Sequence, residues 1–275
     1  MTQWSAWLVA LCMLLVSGAA GPARADVIIL IHGYFSGDDA WSRSGITSEL
    51  EAVGWESGGG VTATGTAGDV RFRASAPKGA QAYYLADLPS EAPLMIQSAA
   101  LKEILAAIRA QRGKERTILV GHSAGGVVAR LLMVQEPTLG IDTLITIATP
   151  HLGTDKAEVA GLIASTPLAM MAPVMGLSTL NRSKSLYDDL TRERPGTLLY
   201  WLNRQPHPKA RYDSIVRRDS FALFGDNTVP TWSQDMGKVV ALHEQARPAV
   251  TIGNDHALER ADGVALVRLL REVHF

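Results

Sequence analysis

Thr117-Ile-Leu-Val-Gly-His-Ser-Ala-Gly-Gly-Val-Val-Ala-Arg130 is the stretch around which the chain is organised. Thr117, Ile118, Leu119 and Val120 are β-branched or aliphatic with no polar break, the mark of a short buried strand. Gly121-His122-Ser123-Ala124-Gly125 follows at once, and Val127, Val128, Leu131, Leu132 and Val134 then recur at helical spacing. The order is strand, sharp turn, helix, with one serine at the apex. Glycines two before and two after the serine remove Cβ atoms that would collide across so tight a turn. The serine is expected to hold a strained backbone that lifts its Oγ clear of the sheet, as in a nucleophile elbow. The plain alternative is a Gly-rich loop cradling phosphate at a helix N-terminus. It calls for G-x-G-x-x-G or a Lys-Ser/Thr pair, and neither is here.

Outward from this stretch, 275 residues with a net charge of -1 are enough for one large α/β domain. There is no basic excess to suggest nucleic acid, no internal repeat and no linker-like tract, so residues 26–275 are read as a single unit. Residues 1–25 differ. Trp7 to Val16 is a short apolar run, and Ser17 to Ala25 supplies small residues ending in Ala23-Arg24-Ala25. This reads as a secretory signal peptide with the mature chain starting at Asp26, which makes the protein exported, periplasmic or secreted. Met1 to Gln3 carry no Lys or Arg, so an uncleaved N-terminal anchor is the alternative. Cys12 is the only cysteine. A mature chain without it has no disulfide, no thiol nucleophile and no Cys-based metal site.

Val27 to Ile31 is a second buried strand, ending in His32-Gly33-Tyr34. Ile46 to Val53 reads as a short helix. Gly54 to Gly68, rich in Gly and Thr, reads as a loop or irregular edge. Ala82 to Ala86 is a strand, and Leu101, Ile104, Leu105 and Ile108 mark an amphipathic helix ending near Gly113. Beyond the elbow, Thr143 to Ala148 is a strand running into Thr149-Pro150-His151-Leu152-Gly153. Val159 to Leu180 carries no charge and contains Met170, Met171 and Met175, but Pro and Gly interrupt it. It is read as a lid, an insertion of about residues 155–190 whose flexible Met side chains suit varied apolar ligands. A buried helical insertion is the alternative. Tyr187 to Leu202 is helical apart from Pro195-Gly196, and Tyr212 to Arg217 and Ala249 to Ile252 are strands. Gly225-Asp226-Asn227-Thr228-Val229-Pro230 lies in a loop, Gly253-Asn254-Asp255-His256 follows the last strand, and Leu266, Leu269, Leu270 and Val273 mark a closing helix.

The elbow, the His-Gly-Tyr loop, Pro-His-Leu-Gly, Asp-x-x-Val-Pro and the late Asp-His together resemble an α/β-hydrolase of the lipase/esterase kind. The resemblance runs from about Val27 to the C-terminus. It is closest to secreted bacterial triacylglycerol lipases and to the related family that deacylates glycosylphosphatidylinositol anchors. It implies an α/β fold, a mostly parallel central sheet with helices on both faces and a helical lid. It also implies a triad in chain order nucleophile, acid, base: Ser123, Asp226 and His256. Asp219, Asp213 and Asp235 are rivals for the acid, Asp219 foremost, and His243, His207 and His274 for the base. His151 is taken as a loop-ordering residue because the base of this fold comes later. By the same resemblance, the backbone N–H groups of Tyr34 and Ala124 form the oxyanion hole. The expected activity is hydrolysis of lipid or other apolar acyl esters through an acyl-enzyme, with no cofactor and no metal, and with lipid contact through the lid. Acyl transfer or amide or thioester cleavage would use the same triad, and a non-catalytic lipid-binding protein would keep the fold without needing it.

Overall fold

The computed structural model describes residues 26–63, 69–74, 76–155, 184–218 and 228–273. Residues 1–25, read above as a signal peptide, residues 156–183, most of the tract read as a lid, and residues 219–227 with Asp219 and Asp226 lie outside the described residues, as does His274. Among the described residues no helix is long and apolar enough to cross a membrane.

In chain order the elements are β1 (Asp26–Ile31), α1 (Ala40–Arg43), α2 (Ile46–Glu51), β2 (Glu56–Ala63), β3 (Val70–Phe72), β4 (Gln81–Asp87), α3 (Leu94–Arg112), β5 (Arg116–His122), α4 (Ala124–Gln135) and β6 (Thr143–Ile147). There follow α5 (Lys184–Leu190), α6 (Leu198–Leu202), β7 (Arg211–Val216), α7 (Thr231–Gln234), β8 (Val250–Thr251) and α8 (Arg260–Val273). Among the described residues eight strands form one sheet in the order β3-β2-β4-β1-β5-β6-β7-β8, parallel except for the antiparallel β2–β3 pair.

Every residue of β1 is buried, because helices cover both faces of the sheet. Its alternation divides it between two cores. Val27, Ile29 and Ile31 pack with Leu101, Ile104 and Leu105 of α3 and Val127, Val128 and Leu131 of α4. Ile28 and Leu30 pack with Trp41, Ile46 and Leu50 and with Leu266, Leu269 and Leu270 of α8. At the other end of the strand Asp26, wholly buried, accepts from Arg116 Nε at 2.7 Å and Nη2 at 2.6 Å. These two residues are register partners, so the pair locks the start of β1 to the start of β5.

The strand order reverses around β1. The chain passes from β1 out toward β4, β2 and β3 on one side, then returns to β5 on the other. A crevice opens at the carboxyl ends of the strands at such a point. Among the described residues three non-glycine residues hold positive φ, namely Phe35 (50°), Ser123 (50°) and Ala148 (47°), and all three lie just past the carboxyl ends of β1, β5 and β6.

The Gly54 to Gly68 tract departs from its sequence reading. Residues Glu56–Ala63 form strand β2, inside the sheet and hydrogen-bonded to β4 and β3. Its glycines make room for neighbours. A Cβ on Gly58 would lie 2.2 Å from the buried Tyr84 ring, and one on Gly60 would lie 1.9 Å from the Arg73 guanidinium. The register shifts between Ser57 and Gly60, where these groups are accommodated. We therefore expect Gly58→Ala to lose about 1–3 kcal/mol of stability by overpacking against Tyr84. A urea unfolding midpoint equal to wild type would contradict this packing.

Candidate active site

The elbow follows from what the surrounding backbone leaves open. Ser123 has φ 50° and ψ -127°, at a cost of about 1–3 kcal/mol for a residue with a side chain. Its N–H donates to Ile147 O at 2.9 Å, which ties the turn to the end of β6, and its carbonyl accepts from Gly126 N at 3.0 Å. The helix behind it can come this close only because three Cβ atoms are missing. A Cβ on Gly121 would stand 2.4 Å from Gly126 Cα, one on Gly125 2.4 Å from His32 O, and one on Gly126 2.2 Å from Thr149 Oγ1. Two of these are backbone atoms that cannot give way.

The structure brings Ser123 and His256 together across 133 positions of sequence: His256 Nε2 lies 2.9 Å from Ser123 Oγ. A base in this geometry accepts the hydroxyl proton on Nε2 and carries its own hydrogen on Nδ1. The His32-Gly33-Tyr34 loop meets the same serine, since a Cβ on Gly33 would lie 2.9 Å from Ser123 Cβ. Ala124 is the first residue of α4, where an N–H has no intrahelical acceptor. The main chain at Gly33 and the amino end of α4 thus flank Ser123. The Tyr34 side chain is buried and its hydroxyl hydrogen-bonds Tyr187 of α5, with the rings edge to face.

Asp226 and its chief rival Asp219 fall outside the described residues, but two other rivals are engaged elsewhere. Asp213 is buried beside Arg211, which donates from Nε at 2.5 Å, and Asp235 accepts from Gly237 N at 2.8 Å to cap a single 3-10 turn. Arg217 and Val229, which flank residues 219–227 in sequence, are braced together by Gln234. Its Oε1 accepts from Arg217 N at 2.8 Å and its Nε2 donates to Val229 O at 2.6 Å. His243 is exposed, and His207 Nδ1 donates to Gln205 O at 2.8 Å.

The other histidines near the site are props. His32 Nε2 accepts from Leu88 N at 3.1 Å, so its hydrogen sits on Nδ1, which faces Gly33 O at 2.9 Å. It joins the end of β4 to the His-Gly loop. His151 is wholly buried; its Nδ1 accepts from Arg130 at 3.2 Å and its Nε2 donates to Thr146 Oγ1 at 3.0 Å. It orders the Pro150–Gly153 turn, in keeping with the sequence reading. Arg130, also wholly buried, donates as well to Asn203 Oδ1, and burial brings its pKa down to about 9. Sequence reasoning missed Arg130, Arg217 and His122. Arg217 is buried and grips Asp262 with two bonds of 2.6 and 2.9 Å, while its Nη2 also donates to Ala257 O at 3.0 Å. Asp262 in turn accepts from Glu259 N at 2.9 Å at the start of α8. A carboxylate three residues after a helix's N-cap is the local signal that could have pointed to Asp262.

Burial lowers the pKa of His32, His122, His151 and His207, the last to about 4. The unfolded chain takes up protons below about pH 6.5 that the folded chain refuses. Stability is thus full above that pH and is lost as pH falls toward the folded values, by about 1.4 kcal/mol per pH unit for each histidine. Asp189 and Asp213, raised by burial, act in the opposite sense, two groups against four. Chemical denaturation at pH 7 and pH 5.5 should show a fall in stability on acidification; equal stability at the two values would refute the four neutral, buried rings.

With this geometry in hand, comparison with known proteins bears on the fold. The family model described as a PGAP1-like alpha/beta domain matches residues 92–159, from the start of α3 through the elbow to the Pro-His loop. No curated protein sequence matches the chain. The lin2722 gene product of Listeria innocua aligns at 15% identity over 83% of each chain, with a TM-score of 0.53. Est1E from Butyrivibrio proteoclasticus, solved with ferulic acid bound, aligns at 12% identity over 92% of this chain and 91% of its own, with a TM-score of 0.51. The peroxisomal alpha-beta-hydrolase Lpx1 of Saccharomyces cerevisiae aligns at 12% identity over 92% of this chain and 77% of its own, with a TM-score of 0.50. The chain has the α/β-hydrolase fold.

Proposed function

With the α/β-hydrolase fold as frame, we propose that this protein is an exported serine hydrolase that cleaves carboxylic esters with apolar acyl groups. The single observation that carries the reading is the 2.9 Å hydrogen bond between His256 Nε2 and Ser123 Oγ, at a serine with φ 50°. A serine hydroxyl is a weak nucleophile at neutral pH and needs a base within hydrogen-bond reach.

In the proposed reaction Ser123 Oγ attacks the ester carbonyl while His256 takes its proton. Asp226 holds the imidazole in the required tautomer and stabilises the imidazolium that forms. The N–H groups of Tyr34 and Ala124 receive the oxyanion. His256 then protonates the leaving alcohol, and water repeats the sequence on the acyl-enzyme. The apolar acyl group is supported by the uncharged, Met-bearing tract Val159 to Leu180. The flanks of that insertion are held side by side near the site. Thr154 bridges Thr191, with Thr154 N on Leu190 O at 3.0 Å and Arg192 N on Thr154 O at 3.0 Å. Tyr187 then reaches back to Tyr34 beside the serine. Export is supported by the apolar run and Ala-x-Ala of residues 1–25.

Hydrolysis of short- and long-chain p-nitrophenyl esters, with Ser123→Ala and His256→Ala beside wild type, tests the reading. Each variant should lose at least about 10³-fold in kcat/KM, and a fluorophosphonate should label wild type only. Asp226→Asn should lose a comparable factor while Asp219→Asn keeps most activity. Activity that survives Ser123→Ala, or a folded wild type without any, would overturn the proposal.

A further inference from the structure

His122, the residue before the nucleophile, is read in the sequence only as the spacer of G-x-S-x-G. Its ring is buried, and its Nε2 lies 2.9 Å from the main-chain carbonyl of His256. A carbonyl cannot donate, so Nε2 carries the hydrogen. Nδ1 then faces Gly33 in the neighbouring loop, 3.2 Å from where a Cβ on that glycine would be. His122 thus sits against both loops that meet at Ser123.

We propose that His122 is a positioning residue for His256: its Nε2–H holds the His256 carbonyl and so fixes the loop that aims the His256 imidazole at Ser123 Oγ. This rests on the serine-hydrolase reading above. The held carbonyl and the working imidazole belong to one residue, so a shift at one end displaces the other. A misplacement of about 1 Å in a reacting group can cost about 10²-fold in rate. Arg217 braces the next residue through Ala257 O, and His122 holds the carbonyl of His256 itself.

The ring is suited to this post because it stays neutral. Burial above all holds its pKa well below 6.5; positive charge on His256, Arg217 or His32 acts in the same direction, and the hydrogen bond to the His256 carbonyl acts against them without prevailing. A neutral ring keeps its single hydrogen on Nε2 and adds no second positive charge when His256 becomes an imidazolium.

His122→Leu removes the donor at similar bulk, whereas His122→Gln can return an N–H near the Nε2 position. In the full chain, leucine should lower kcat on a p-nitrophenyl ester by about 10–100-fold with KM within about twofold, and glutamine should recover kcat to within about threefold of wild type. Equal losses in the two variants, or an unchanged kcat with leucine, would overturn the proposal. Should the leucine variant fail to fold, His122→Asn, polar but too short to reach the carbonyl, takes its place with the same expected loss. Nitrogen NMR of ¹⁵N-histidine protein reads the contact without turnover. The His122 ring should keep its hydrogen on Nε2 and remain uncharged down to pH 5.5; a ring protonated on Nδ1 would overturn it. A folded wild type that neither cleaves esters nor takes the fluorophosphonate sinks the hydrolase reading, while the tautomer still decides the contact.

Discussion

The close approach of a helix to two strand ends governs this structure. Where the backbone of α4 meets the ends of β1 and β5, Gly121, Gly125 and Gly126 leave no Cβ, and the gaps they leave are too narrow for one. That contact sets where Ser123 stands, how far the amino end of α4 reaches, and how near the His-Gly loop lies. Local backbone strain follows from it. Ser123 is forced to positive φ because strand and helix are each held by their own packing, and the turn between them must absorb the mismatch. Phe35 and Ala148, at the ends of the flanking strands, show the same strain at the same edge of the sheet.

Much of this was legible in the sequence, for definite reasons. β1, β5 and β6 are continuous apolar runs because both faces of a parallel sheet are covered, and the glycines of the elbow are spaced by the geometry of the turn. His256 is singled out in the sequence by its place after the last strand, and the structure puts its Nε2 2.9 Å from Ser123 Oγ. The Gly54 to Gly68 tract misled because its residues carry few side chains to form a pattern. What makes Glu56–Ala63 a strand is its pairing with β4 and β3 from elsewhere in the chain, and its glycines leave room for Tyr84 and Arg73. Arg130, Arg217 and His122 were equally out of reach. Arg and His are usually surface residues, and nothing nearby in sequence reveals that Asn203, Asp262 or the His256 carbonyl will meet them.

These buried polar groups share one logic. Each histidine prop is a neutral ring with a fixed tautomer that joins two pieces of main chain or a loop to a strand: His32 joins β4 to the first loop, His122 joins the elbow to the His256 loop, and His151 joins the Pro-His turn to β6. The two buried arginines serve longer spans. Arg217 gathers α7, the His256 loop and α8, and Arg130 gathers α4, the Pro-His turn and α6. The site is therefore held by directional bonds among loops, over a sheet that is held by packing.

The distance in sequence between Ser123 and His256 carries a consequence for how the molecule comes into being. The contact closes a loop of more than a hundred residues, and it needs β6, β7 and β8 to be paired before the His256 loop has anything to rest on. Contacts of such separation form late, after the entropy of the intervening chain has been spent on the sheet. On a ribosome, the half of the chain that contains the whole elbow emerges well before His256. Under the proposed function, Ser123 thus stays without its base during synthesis and meets it only when the last strand and helix dock.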